Sequence, residues 1–151
     1  IDQNQILFDL GDTHLISRLI EGNYPDYEAI IPKSFETKCY LSKKGMEEAV
    51  KLSSCFSSRL NEVVLKTNSS KSYLEVFSNN TESGNHQTKI NSEIKGEDVN
   101  IIFNWRYLLD GLKNINNEEI VLEFNGSQKP AVIRSAKGAD FFYILMPIKN
   151  T

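Results

Sequence analysis

The amino-acid sequence predicts an α+β domain: a duplicated strand-helix-strands unit with two helices on one face of an antiparallel sheet. Three observations carry this. Beyond Ser34 the order strand, helix, then strands occurs twice. Both helical segments set their inner residues at i, i+3 and i+4, the buried stripe of a helix with 3.6 residues per turn. The remaining strands are short and separated by turn signals such as "NSSK", "NGSQKP" and "AKGAD". Two such units build a domain whose helices share one sheet face.

Taken in order, "QILFDLGDTHLISRLI" alternates and turns at Gly11-Asp12, which is a hairpin signal. These strands have no helix of their own and read as the last strands of a preceding domain. Next comes "SRLIEGNYPDYEAIIPKSF", in which Pro25 and Pro32 bracket Tyr24, Tyr27, Ile30 and Ile31. A proline fixes its own φ and pushes the preceding residue towards extended backbone, so the reading excludes helix from Tyr24 to Lys33. This is a stiff, partly apolar connector, unlike the Gly- and Ser-rich composition of a flexible linker.

The first copy then runs through strand "TKCYL", helix "KKGMEEAVKLSS" and strands "NEVVLKT", "SYLEVFS" and "HQTKINSEI". The second runs through strand "VNIIF", helix "WRYLLDGLKNI" and strands "EIVLEF", "AVIRS" and "FFYILMP". Ser42 and Asn104 precede the two helices as N-caps. Superposing the helices sets Ser42 on Asn104, Met46 on Leu108, Ala49 on Gly111 and Val50 on Leu112. A longer helix-to-strand loop in the first copy then shifts the register. The outward positions match too: Lys44 with Arg106, Glu48 with Asp110, Lys51 with Lys113. Lys44–Glu48 and Arg106–Asp110 read as surface pairs worth about 0.2–0.5 kcal/mol each. The other reading is a face laid across a phosphate backbone, where cations interrupted by carboxylates give only weak, salt-sensitive contact.

Composition narrows the function classes. With 151 residues, 40% hydrophobic and 25% charged, the chain has the make-up of a soluble globular protein. The net charge of -3 shows no global basic footprint, although a local basic face can coexist with it. Cys39 and Cys55 lack metal-ligand spacing and read as a reduced pair. His14 and His86 have no partners that would make a catalytic or metal site. The glycines form no phosphate loop, and no apolar run approaches the ~20 residues that span a bilayer. The sequence therefore disfavours an enzyme. Because the chain begins with Ile1, it reads as a piece of something longer. Acceptor triplets at Asn68, Asn79 and Asn125 leave open a secreted β-rich binding module, which would allow a Cys39–Cys55 disulfide.

The stretches "SRLIEGNYPDYEAIIP", "IIFNWRYLLDGL" and "FFYILMPIKNT", in this order and spacing, resemble the bacterial DNA polymerase III beta subunit, the sliding or processivity clamp. The resemblance covers the whole chain and implies the DNA-clamp fold. It assigns residues 1–23 to the last two strands of the middle domain, 24–33 to the interdomain connector and 34–151 to the third domain. It implies a cytoplasmic replication factor without catalytic site or cofactor, a homodimeric ring when full length. The implied partners are duplex DNA, encircled without sequence specificity, the clamp loader, DNA polymerase III and other proteins carrying clamp-binding motifs.

Position by position, the resemblance places Pro25, Ala29 and Ile30 of the connector in a peptide-binding pocket. Leu60, Asn104, Tyr107, Pro130, Ile144, Met146, Pro147 and Ile148 join them. Ala29 stands where some relatives have an arginine, which removes a polar contact. Lys44, Lys51, Arg106 and Lys113 would face DNA in the central channel, and Leu52 would meet the partner subunit, with Lys51 making that contact more polar. The family's other pocket wall carries a Thr-Asp-Gly-His-Arg-like run that this chain lacks, so weak peptide binding is expected of the chain alone.

Overall fold

Ser42 and Asn104 act as the caps their positions require: the Ser42 hydroxyl accepts from the Gly45 N–H at 3.3 Å, and the Asn104 side-chain oxygen accepts from the Arg106 N–H at 3.0 Å. Each satisfies one of the donors that a helix start leaves without a partner. The computed structural model describes residues 4–24, 26–138 and 141–149. Its elements are β1 (Gln5–Asp9), β2 (His14–Arg18), a 3-10 turn (Glu28–Ile30), β3 (Thr37–Ser42), α1 (Lys43–Ser54), β4 (Glu62–Asn68), a 3-10 turn (Ser69–Lys71), β5 (Tyr73–Asn80) and β6 (Gly84–Lys95). The second half follows as β7 (Asn100–Asn104), α2 (Trp105–Lys113), β8 (Glu119–Phe124), β9 (Ala131–Ser135) and β10 (Phe142–Leu145).

The expected α+β architecture is present, with one feature that the linear reading did not contain. The eight strands of the main sheet run in the order β10-β9-β8-β3-β6-β5-β4-β7, every neighbour antiparallel. The first strand of each copy therefore pairs with the second strand of the other, β3 with β8 and β7 with β4. The copies are interlocked, so neither could fold as an independent unit without losing a strand. The internal two-fold holds through the register: Leu74 opposite Ile90 corresponds to Ala131 opposite Leu145.

Met46, Ala49, Val50 and Ser53 of α1 and Leu108, Leu109, Gly111 and Leu112 of α2 are buried. They meet the inward-facing residues of the sheet, among them Cys39, Leu65, Leu74, Phe103, Ile120, Leu122, Phe124 and Ile133. Each such large side chain contributes about 1.5–3 kcal/mol on burial. Gly111 sets the height of α2 over β10: a Cβ there would lie 2.5 Å from Cδ1 of the Tyr143 ring.

Several expectations need correction. Residues Glu28–Ile30 form a 3-10 turn inside the segment read as free of helix. A proline restricts only itself and its predecessor, so Tyr27 to Ile30 remain free to close local bonds. The Ile30 N–H donates to the Tyr27 carbonyl at 3.1 Å and the Ile31 N–H to the Glu28 carbonyl at 3.2 Å. Helix α2 stops at Lys113 rather than Ile115, because Asn114 turns back and donates its side-chain amide to the Asp110 carbonyl at 2.8 Å. The last strand ends at Leu145 rather than Pro147. Asp110 pairs with Lys113 at 3.3 Å and not with Arg106, whose guanidinium stacks 5.2 Å from the Trp105 ring centroid. Cys39 is buried on β3 and Cys55 exposed at the end of α1, and both are free thiols.

Candidate functional site

Four of the segments singled out in the sequence meet where β7 runs into α2. Asn104 sits at the junction, paired with Glu62 of β4. The Trp105 N–H donates to the Asn61 carbonyl at 2.9 Å, which brings the Leu60–Asn61 loop against the first turn of α2. On the other side of β7, the Ile148 N–H donates to the Ile102 carbonyl at 2.8 Å. The C-terminal segment thus leaves β10 at Leu145 and reaches the outer edge of β7 within three residues. Pro130 immediately precedes Ala131, the register partner of Leu145. Leu60, Asn104, Tyr107, Pro130, Ile144, Met146, Pro147 and Ile148 are therefore arranged around one end of the domain.

This end is apolar yet open to solvent. Leu60 is 65% exposed, Tyr107 57% and Met146 58%, while Pro130, Ile144, Pro147 and Ile148 are half-buried. Strand alternation explains the division on β10: Tyr143 and Leu145 pack into the core, and Ile144 faces the other way. The final residues are thus more than a buried last strand. Large apolar side chains grouped on the surface of a folded domain mark a contact site more often than chance exposure. The hydroxyl of Tyr143 titrates above its ordinary range because burial disfavours the phenolate, and the nearby Asp110 charge adds to this.

Of the connector residues, Pro25 lies outside the described residues. Ala29 is exposed and Ile30 is half-exposed, on the 3-10 turn whose hydrogen bonds are local. The connector is fastened further along, where Glu36 N–H donates to the Phe124 carbonyl at 3.1 Å and the Asn125 side chain donates to the Ser34 carbonyl at 2.7 Å. Leu52 stands exposed on α1, off the buried stripe. Lys44, Lys51, Arg106 and Lys113 are all exposed on the helices, with Lys44 at 3.9 Å from Glu48 and Lys51 at 3.7 Å from Glu47. Among the described residues no group of three or more potential metal ligands occurs. No helix among them is long and apolar enough to cross a membrane.

A separate concavity lies elsewhere. A groove of about 760 Å³ is lined by Tyr40, Ser42, Lys71, Asn91, Glu93 and Glu119, among others. The internal two-fold relates it to the apolar end of the domain, carrying Ser42 onto Asn104, and Asn91, Ser92 and Glu93 onto Met146, Pro147 and Ile148. The duplication thus made two related surfaces, one mixing charged and polar side chains with Leu41, Ile94 and Ala136, the other presenting mainly large apolar side chains. The linear sequence did not show that the two surfaces are related, because the strand exchange that creates them is a tertiary event. Ile148 also lines a smaller cleft of about 470 Å³ with Asp98–Ile102 and Gly126–Gln128, a wall absent from the sequence-based set of residues.

Comparison with known proteins is consistent across sequence and structure. The family described as DNA polymerase III beta subunit, C-terminal domain, matches residues 28–149. The beta sliding clamp of Staphylococcus epidermidis is 30% identical over 148 residues, which are 97% of this chain and 39% of that protein. The beta sliding clamp of Staphylococcus aureus is 29% identical over the same lengths. The crystal structure of the Bacillus subtilis sliding clamp superposes with a TM-score of 0.87 at 30% identity, covering 100% of this chain and 40% of that one. The clamp of Bartonella birtlesii bound to griselimycin gives a TM-score of 0.89 at 29% identity, over 99% of this chain and 40% of that one. The chain spans well under half the length of these relatives.

Proposed function

The chain belongs to the DNA polymerase III beta subunit family, and from that premise we propose that it is the C-terminal part of a sliding clamp that tethers partner proteins to DNA. In this reading residues 1–23 close the middle domain, 24–33 connect, and 34–151 form the third domain. The full-length protein is a homodimeric ring around duplex DNA, opened by a clamp loader and working in the cytoplasm. It contributes no catalytic step of its own.

The observation that carries the tethering role is the exposed apolar surface around Tyr107, Leu60 and Met146, with Asn104 and Ile148 at its sides. An extended peptide with one or two large apolar anchors fits such a surface, and a few anchors give most of the affinity while leaving the partner exchangeable. Ile30 and Ala29 supply a second wall when the connector folds against it. Lys44, Lys51, Arg106 and Lys113 face the duplex loosely, because carboxylates beside three of them weaken their pull on phosphate. Encirclement rather than affinity then retains the DNA. Leu52 meets the partner subunit.

The test is fluorescence anisotropy with a labelled peptide carrying Leu and Phe anchors two residues apart. It binds the full-length protein more tightly than the isolated chain, griselimycin displaces it, and Tyr107→Ala or Met146→Ala weakens it at least tenfold. Equal binding by wild type and both variants would remove the docking surface from this end of the domain.

A further inference from the structure

The one Asn-Gly pair in the sequence, Asn125-Gly126, follows β8 directly and starts the turn towards β9. Its asparagine is also the residue that grips the connector. The Asn125 side-chain oxygen accepts from the Glu36 N–H at 2.9 Å, and its amide nitrogen donates to the Ser34 carbonyl at 2.7 Å. One neighbour is a donor and the other an acceptor, so a primary amide in a single orientation satisfies both. Glu36 and Thr37 have further holds. The Glu36 N–H also donates to the Phe124 carbonyl at 3.1 Å, and Thr37 Oγ1 donates to the Glu97 carbonyl at 2.7 Å. Gly96 lies so close that a Cβ there would meet the Glu36 carbonyl oxygen at 1.9 Å. Ser34 stands outside this packed entry, exposed, and the Asn125 amide draws it in.

The same residue begins a reactive pair. Glycine has no Cβ to shield its amide nitrogen and turns through a wide range of φ. Gly126 sits at φ 76° in a half-exposed turn. Its nitrogen is therefore free to attack Cγ of Asn125. A bond forms between that nitrogen and Cγ, the Cγ–Nδ2 bond breaks, and ammonia leaves with the proton the glycine nitrogen gave up. The product is a five-membered succinimide, which water opens at either carbonyl. One opening gives aspartate. The other gives isoaspartate, in which the main chain runs through the former side chain. Solvent water is the only co-reactant. The attack requires Cγ to swing away from Ser34 and Glu36, so it proceeds from molecules in which this clasp has opened.

We propose that Asn125 is a deamidation site whose conversion unfastens the connector from the domain. An ionised carboxylate only accepts hydrogen bonds. Aspartate at this position keeps an acceptor for the Glu36 N–H but has no donor for Ser34, and it sets a negative oxygen against the Ser34 carbonyl. Isoaspartate displaces the carboxyl group from both partners. Neither product restores the original pair of bonds, so the change runs one way. The connector is the chain link between the β1–β2 hairpin and the eight-stranded sheet, and the loosened contact lies at its junction with the sheet. Conversion needs no enzyme, and its extent rises with the age of the molecule.

The experiment ages the full-length protein in mildly alkaline buffer, folded and in urea, and follows Asn125 by mass spectrometry of the peptide that contains it. In the folded protein Asn125 converts ahead of Asn68 and Asn91, each followed by serine, and more slowly than in urea. Amide exchange is then compared between fresh protein, aged protein and Asn125→Asp made directly. Exchange at Phe35 and Glu36 speeds up about fivefold in both altered forms, as loss of one local hydrogen bond requires, while α1 and α2 keep their protection. An Asn125 that stays an amide in the folded protein while the urea sample converts overturns the inference. So does conversion that leaves exchange at Phe35 and Glu36 unchanged. Faster exchange spread through both helices would mean general destabilisation in place of connector release, and equally overturns it.

Discussion

Replacing Gly111 by alanine should destabilise this protein, against the ordinary rule for helices. Within a helix interior alanine is favoured over glycine by about 1 kcal/mol. Gly111, however, faces the Tyr143 ring, and a Cβ built on it would lie 2.5, 2.9 and 3.0 Å from Cδ1, Cγ and Cε1. Three atoms of a rigid ring cannot be relieved by swinging one flexible end, so α2 must lift or β10 must move. Overpacking of this kind costs about 1–3 kcal/mol. The upper part of that range, less the propensity gain, leaves a net loss of about 1–2 kcal/mol. At 2–4 °C per kcal/mol for a chain of this size, the midpoint of thermal unfolding falls by about 2–8 °C. Gly45→Ala is the control: its Cβ comes to 3.3 Å from Ile90 Cγ2, the end of a side chain that can shift, and otherwise makes ordinary contacts with Ser42 at 3.7 and 3.9 Å, so the change should be within about 0.5 kcal/mol of neutral. In a Tyr143→Ala background the sign reverses, and Gly111→Ala becomes stabilising by up to about 1 kcal/mol. Urea titrations of the four variants measure this directly. A Gly111→Ala protein as stable as wild type, with Tyr143 present, would refute the close seating of α2 on β10.

Three further outcomes follow from the same structure. Phe103, fully buried where β7 meets the core, should cost about 3–5 kcal/mol as alanine in a urea titration, since the surrounding core relaxes only partly into the cavity left behind. Cys55 should react with iodoacetamide in the native protein while Cys39 does not until the protein unfolds, as mass spectrometry of the labelled chain would show. Burial holds the Cys39 thiol at about 11 from an ordinary value of 9.0, so the native state keeps a proton that the unfolded chain releases; stability is intact below pH 9 and falls between pH 9 and 11, measurable as a declining urea midpoint.

Much of the fold was legible because its determinants are local. Ser42 and Asn104 announce the helices, the apolar stripes of α1 and α2 announce their buried faces, and α1 matches its expected bounds of Lys43–Ser54. What failed to show was decided at longer range. The exchange of β3 and β7 between copies leaves no local trace, because either pairing would satisfy the same alternation. The 3-10 turn at Glu28–Ile30 depends on hydrogen bonds that proline spacing does not forbid. At the candidate site, Tyr107 was readable as off the buried stripe from the helical wheel, and it is exposed. The pairing of the buried Glu123 was not readable, since a carboxylate in an otherwise apolar strand reveals its two cations only once Lys38 and Arg134 are brought alongside from β3 and β9.

The most direct test of the docking surface is amide hydrogen exchange of the full-length protein with and without the Leu- and Phe-anchored peptide. The structure predicts added protection over residues 102–107 and 144–149, and none around the related groove at Tyr40, Lys71 and Asn91. Protection confined to the groove at Tyr40, Lys71 and Asn91, or none in this chain while the peptide is bound, would contradict the account.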